Sequence, residues 1–259
     1  MPMLDVNGDN IYFSVKGSGI PIVFIHPPVL TSVNFEYQIE ELSQFFKVVV
    51  FDIRGHGKSP YSARSITYPL IVNDIKQILN HLKIEKAYIC GYSTGASIAL
   101  EFLLNVKERT LGGILISGMS EITNWRLKNR VSFAKNLAKV GAVPFLAWSI
   151  SKSNSDTKML FEKMFNDAKG GDHRNIQQYY DYSLNYNCTA QLKNIHLPCM
   201  LIYGKNDKQF YNYARILHEN LPSNLFLFIE NVSHQIPTKA WKECNQWIGQ
   251  FIKKNRSEF

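Results

Sequence analysis

The sequence predicts an α/β protein, built as a mostly parallel sheet with helices on both faces and a helical cap inserted late in the chain. Three observations carry this. Short, continuously apolar, β-branched runs alternate with stretches of helical periodicity, the pattern of parallel strands buried on both faces. One such run leads through GYSTG (Gly91 to Gly95) directly into a helical stretch. The alternation then breaks from Met119 to about Ala190, where a helical, aromatic segment intervenes before it resumes.

IYFSVKG (Ile11 to Gly17) and IPIVFI (Ile20 to Ile25) flank a Gly-Ser-Gly turn and are expected to form an opening hairpin. Phe35, Ile39, Leu42 and Phe46 share one face of an amphipathic helix. KVVVFD (Lys47 to Asp52) is a buried strand that ends in IRGHGKS. Thr67 and Pro69 stand where an N-cap and an early helical proline belong, ahead of the helical face Ile71, Ile75, Ile78 and Leu82. KAYIC (Lys86 to Cys90) precedes GYSTG and a helix through about Val106, and GGILIS (Gly112 to Ser117) is the next strand. PCMLIYG (Pro198 to Gly204) and LFLFIE (Leu225 to Glu230) follow the insertion. Trp241, Cys244, Ile248 and Phe251 mark one face of the final helix. The expected organisation is a core of residues 1–118 and 191–259 with a cap of residues 119–190.

The 259 residues, 45% of them hydrophobic, suit one large core rather than two equal ones. No apolar run approaches the roughly 20 residues that span a bilayer. MPMLDVNGDN lacks a basic n-region followed by an apolar h-region, so no signal peptide is expected. Cys90, Cys188, Cys199 and Cys244 show no metal-ligand spacing and read as reduced thiols of a cytoplasmic protein. His81, His173, His196 and His218 show no HExxH-type pairing, so neither metal nor cofactor is expected. The net charge of +8 is spread along the chain, dense only at Lys253, Lys254 and Arg256, which argues against a nucleic-acid partner. Oligomeric state is not legible. The cap carries ten Lys/Arg against six Asp/Glu between Glu121 and Ala190, and so contributes +4.

GYSTG is the most specific feature. Between a strand and a helix it fits a G-x-S-x-G nucleophile elbow: a sharp turn projects the Ser93 hydroxyl above the sheet, and glycines two positions either side avoid a clash. The helix N-terminus beneath offers N–H groups to an oxyanion. A serine nucleophile needs a base, and the base an orienting acid. Asp207, in YGKNDKQF, and His234, in ENVSHQIP, each follow a strand, so both belong to the sheet edge that carries Ser93. Glu121 is the alternative acid, and an N-cap is the bland role for Asp207. His26 and His56 read as structural, and Cys90 as a buried strand residue. GHGKS resembles a phosphate loop, but that motif needs glycine where Asp52 stands.

With these residues, the chain resembles an α/β-hydrolase-superfamily serine hydrolase from the first hairpin to the last helix. HPPV (His26 to Val29), DIRGHGKS (Asp52 to Ser59), the elbow, the acid loop and the histidine loop carry the likeness. The resemblance implies an eight-stranded sheet, a triad of Ser93, Asp207 and His234, and a cap that shapes the substrate pocket. Relatives that resemble haloalkane dehalogenases and epoxide hydrolases use an aspartate nucleophile, which Ser93 excludes.

The expected activity is cleavage of a small to medium carboxylic ester, thioester or lactone through an acyl-enzyme. The aromatic cap favours uncharged esters. A triad-retaining ligand sensor and a C–C bond hydrolase remain open alternatives. One departure matters. In relatives the histidine of the first loop is followed by glycine and then by an oxyanion donor, but here those positions are Pro27 and Pro28, and proline cannot donate. Thr94 N–H is one expected donor. Val29 N–H is the expected second, held in place by two rigid prolines.

Overall fold

In the computed structural model, which describes residues 2–255, eight strands form one sheet. They are β1 (Met3–Val6), β2 (Asp9–Lys16), β3 (Pro21–Ile25), β4 (Lys47–Phe51), β5 (Ala87–Tyr92), β6 (Thr110–Ile116), β7 (Cys199–Gly204) and β8 (Asn224–Ile229). Their spatial order is β1-β2-β4-β3-β5-β6-β7-β8. From β4 onward every neighbouring pair is parallel, while β1–β2 and β2–β4 are antiparallel.

The opening hairpin is not the expected one. β2 and β3 do not pair: β3 crosses over to lie between β4 and β5, with Val23 opposite both Val49 and Ile89. Gly17 and Gly19, at φ 82° and 93°, turn the chain away from β2 rather than back along it. The hairpin is β1–β2, closed by Asn7 (φ 56°) and Gly8 (φ 88°). Two consecutive positive φ values match the twist of a tight hairpin, which is why Asn-Gly suits this turn.

Because the parallel strands are covered on both sides, their successive side chains feed two cores. Val23, Ile25, Val49, Ile89, Leu115 and Leu201 point one way, and Ile22, Phe24, Val48, Val50, Ile114 and Ile202 the other. Helices α1 (Glu36–Leu42) and α2 (Tyr68–His81) flank β4, and α3 (Thr94–Asn105) follows β5. The Thr67 hydroxyl caps α2 by accepting from Leu70 N–H at 3.2 Å, as its position before Pro69 predicts.

Between β6 and β7 lie four helices: α4 (Trp125–Lys139), α5 (Val143–Asn154), α6 (Lys158–Ala168) and α7 (His173–Asn185). Glu121 and Asn187 form an isolated antiparallel bridge where the chain leaves and returns. Helices α8 (Tyr211–Asn220), α9 (Ile236–Lys239) and α10 (Trp241–Asn255) complete the fold, with Cys244, Ile248 and Phe251 of α10 buried as expected. Arg256 of the basic tail lies outside the described residues. Among the described residues no helix is long and apolar enough to cross a membrane.

A buried ion network anchors the antiparallel edge to this frame. Arg54, with 1% of its side chain exposed, donates from Nε and Nη2 to the two oxygens of Asp74 at 2.7 Å each, and from Nη1 to Asp9. Arg54→Ala leaves Asp74 buried and uncompensated, a loss of about 3–5 kcal/mol. Urea denaturation of the two proteins measures this, and a difference below ~1 kcal/mol would show the network to be dispensable.

Candidate active site

Ser93 sits between β5 and α3 at φ 56° and ψ −122°, a conformation that a non-glycine residue adopts only under constraint. Its N–H bonds to Ile116 O at 2.9 Å, and its carbonyl accepts from Ala96 N–H at 3.0 Å. Both flanking glycines are required. A Cβ on Gly91 would lie 2.2 Å from Gly95 O, and one on Gly95 would lie 2.2 Å from Ile25 O. The helix therefore starts in contact with the ends of β3 and β5, and the Ser93 side chain is left projecting from the turn.

The loops after β7 and β8 bring the other two residues to it. His234 Nε2 is 3.0 Å from Ser93 Oγ, and His234 Nδ1 is 2.8 Å from Asp207 Oδ2. The carboxylate accepts at Nδ1, which leaves Nε2 free to accept from the serine hydroxyl. Asp207 makes no side-chain capping bond to the short helix that follows it. Glu121, the alternative acid, is hydrogen-bonded to Asn187 at the neck of the insertion.

Several supports were not legible in the sequence. Asn206 N–H donates to Val232 O at 2.9 Å and joins the acid loop to the histidine loop. The Ser117 hydroxyl donates to His234 O at 3.1 Å. Phe210 and Tyr92 flank the imidazole, with ring centroids 4.3 and 5.4 Å away. Gly204 lets the histidine loop approach β7, since a Cβ there would lie 2.1 Å from Ser233 O. These contacts join residues far apart in the chain, so no local pattern announces them.

Ser93 opens onto a cavity of about 610 Å³, within the range of small-molecule sites. Tyr92, Met119, Ile122, Leu127, Val131 and Leu146 make much of its wall apolar. Arg130 also lines it, is exposed, and has no carboxylate partner among the described residues. Pro27, Pro28, Leu30 and Thr94 border the same space, whereas Val29 does not. Val29 has φ 71° and buries its side chain in the core. Thr94 is the first residue of α3, so its N–H has no partner in the helix ladder.

His26 holds the proline loop from below. Its Nε2 accepts from Ile53 N–H at 2.9 Å and its Nδ1 donates to Pro27 O at 2.9 Å, while its own carbonyl accepts from Tyr179 Oη at 3.0 Å. Burial pushes its pKa down to about 4. His56, whose ring lies 5.3 Å from that of His26, donates from Nδ1 to Arg54 O at 3.0 Å; burial pushes it down to about 3. Neither histidine reaches Ser93. Cys90 is buried beside the elbow, and burial raises its thiol pKa well above the usual range. Among the described residues no three His, Cys, Asp or Glu side chains cluster as metal ligands.

The two buried histidines set a pH dependence for stability. Both are neutral when folded and titrate near 6.5 when unfolded, so below that pH the unfolded state binds more protons. Their contribution is complete above about pH 6.5 and falls as pH drops toward about 4 and about 3, by up to ~1.4 kcal/mol per pH unit per histidine. Urea denaturation between roughly pH 7 and pH 4.5 should show this fall, with a shallower slope in His56→Leu. Equal slopes in the two proteins would contradict it.

The fold and the sequence have known counterparts. The sequence profile of the alpha/beta hydrolase fold family matches residues 20–237. The chain is 34% identical over 256 residues to YisY, an AB hydrolase superfamily protein of Bacillus subtilis, covering 91% of this chain and 92% of that one. Among solved structures, an esterase from Exiguobacterium antarcticum superposes with a TM-score of 0.86 at 22% identity, covering 96% of this chain and 97% of that one. The enol-lactonase of Burkholderia xenovorans gives 0.86 at 17% identity, covering 97% and 100%. The chain belongs to the α/β-hydrolase fold family.

Proposed function

We propose that this protein is a serine hydrolase that cleaves a carboxylic ester, thioester or lactone of small to medium size through an acyl-enzyme. The observation that carries the reading is the continuous hydrogen-bond path from Ser93 through His234 to Asp207 at an apolar cavity. The esterase and the enol-lactonase that share the fold support a substrate of this class.

Ser93 Oγ attacks the carbonyl carbon as its proton passes to His234 Nε2. The carbonyl π electrons move onto oxygen. The tetrahedral oxyanion collapses, and His234 returns the proton to the departing alkoxide or thiolate. Water then repeats the sequence on the acyl-serine and releases the acid. Asp207 keeps Nδ1 protonated and stabilises the imidazolium. Thr94 N–H is one oxyanion donor. Val29 N–H is the second, because Pro28 has none and Val29 stands between Pro28 and Leu30, both of which line the cavity. A missing second donor costs about 2.7–4 kcal/mol of transition-state stabilisation. Slow turnover with tight binding, the mark of a ligand sensor, is the second reading that Pro28 favours.

Ser93→Ala should abolish both ester hydrolysis and labelling by a fluorophosphonate, and Asp207→Asn should lower kcat by roughly 10⁴-fold. Labelling that persists in Ser93→Ala would sink the assignment. In a crystal structure of the phosphonylated enzyme, the phosphonyl oxygen should lie within about 3.1 Å of the Thr94 and Val29 nitrogens; a Val29 nitrogen out of reach removes it from the mechanism.

The apolar wall also sets a substrate preference. Neutral esters of medium chain length should give higher kcat/KM than half-esters of dicarboxylic acids. Higher kcat/KM for the anionic esters would instead assign Arg130 a role in binding them.

A further inference from the structure

The outer surface of α4 and α5 combines unpaired cations with exposed aromatic side chains and has no acid of its own. From Trp125 to Asn154 there are six Lys/Arg and no Asp or Glu. Asp181 pairs with Lys135 at 3.0 Å, but Arg126, Lys128, Arg130, Lys139 and Lys152 are exposed and have no carboxylate partner among the described residues. The same thirty residues expose Trp125, Phe133, Val140, Phe145 and Trp148, at 66, 62, 76, 56 and 44%. The two tryptophans lie under cations: Arg126 is 5.4 Å from the Trp125 ring and Lys152 is 5.0 Å from the Trp148 ring.

The position of this surface matters as much as its composition. Phe133 and Phe145 are exposed and also line the cavity that holds Ser93, and Arg130 does the same. The apolar cavity is therefore continuous, through Phe133, Phe145 and the unpaired Arg130, with the exposed aromatic and cationic surface of α4 and α5. We propose that α4 and α5 are a docking face for an anionic phospholipid surface, which sets the cavity mouth against the bilayer.

Charge complementarity selects this occupant. Anionic headgroups attract juxtaposed Lys and Arg, while Trp and Phe settle at the boundary between headgroups and acyl chains. A second copy of the chain would bring two strongly cationic segments together, with no acid in either to offset them. A nucleic acid would meet the cations, but the two tryptophans already lie under Arg126 and Lys152, and the most exposed apolar side chain, Val140, offers no ring for a base to stack on. The proposal concerns where the protein sits and holds whether or not Ser93 turns over an ester.

Flotation of the full-length protein tests it with vesicles of phosphatidylcholine alone and with about 30 mol % phosphatidylglycerol. Binding should be at least about tenfold tighter to the anionic vesicles and should be released by about 0.5 M salt. Tryptophan emission should shift to the blue on binding, because Trp125 and Trp148 are exposed whereas Trp241 and Trp247 are already half-buried. Two double variants, Lys128→Glu with Lys139→Glu and Trp125→Ser with Trp148→Ser, should each lose binding at least about tenfold. Neither pair lines the cavity, so their melting temperature and their turnover of a soluble ester, where the wild type has one, should be unchanged. Lys253→Glu with Lys254→Glu, in the basic tail, should keep binding. Equal flotation with neutral and anionic vesicles would overturn the proposal. So would equal loss in the tail variant, or tighter binding to an oligonucleotide than to anionic vesicles.

Discussion

The structure turns on one tight contact, the passage of the chain from β5 into α3 at Ser93. A non-glycine residue at φ 56° and ψ −122° costs of order 1–3 kcal/mol, and the fold must hold it there. It does so by burial. Ala96, Ile98, Ala99, Leu100, Phe102 and Leu103 of α3 are all inaccessible and bind the helix to the sheet. At roughly 1.5–3 kcal/mol for each large aliphatic or aromatic side chain removed from water, that attachment outweighs the strain. The helix cannot retreat to relax the turn without exposing this face.

From that contact the rest of the site follows by sheet order. β6 lies beside β5 and sends Ile116 O to Ser93 N–H; β7 and β8 come next and end in the acid and histidine loops. A parallel sheet puts all these ends on one edge, which makes a three-residue relay possible from positions 93, 207 and 234. The spacing between strands is fixed at about 4.8 Å, so the loops need only short reach. Gly204, Ser117 and the Asn206–Val232 bond then set the last ångströms.

This hierarchy explains what the sequence disclosed. Strand-turn-helix chemistry is local, so GYSTG, the caps and the apolar runs are legible, and with them the positions of Ser93, Asp207 and His234. Strand pairing is not local. The Gly-Ser-Gly between β2 and β3 looks like a hairpin turn, and only the insertion of β3 between β4 and β5 excludes that pairing. Those neighbours lie in distant sequence. The Asn7-Gly8 turn carried the correct local signal, but the four-residue β1 gives it little pattern to stand on. The pocket lining was equally hidden. It draws on the proline loop, the elbow, α4, α5 and the histidine loop, and only the packed cap brings them to one space.

The proline loop shows how the cap and the core are joined. The His26 imidazole bridges Ile53 N–H and Pro27 O, and its carbonyl takes the hydroxyl of Tyr179 from α7. On the same helix, Asn175 exchanges two bonds of 2.9 Å with the backbone of Ser62. Lifting α7 from the core would break the Tyr179 bond and both Asn175 bonds and strand buried polar groups, each loss costing about 1–3 kcal/mol. Helices α4 and α5 bury Leu127, Val131, Ala138, Val143, Leu146 and Ala147, and Asn154 at the end of α5 accepts from Tyr92 Oη at 3.0 Å. On their other side, Phe133 and Phe145 are exposed and line the cavity. Helix α4 is in turn joined to α7, where Lys135 pairs with Asp181 at 3.0 Å. Much of the cavity wall thus comes from α4 and α5, while the loop beside Ser93 is held from α7.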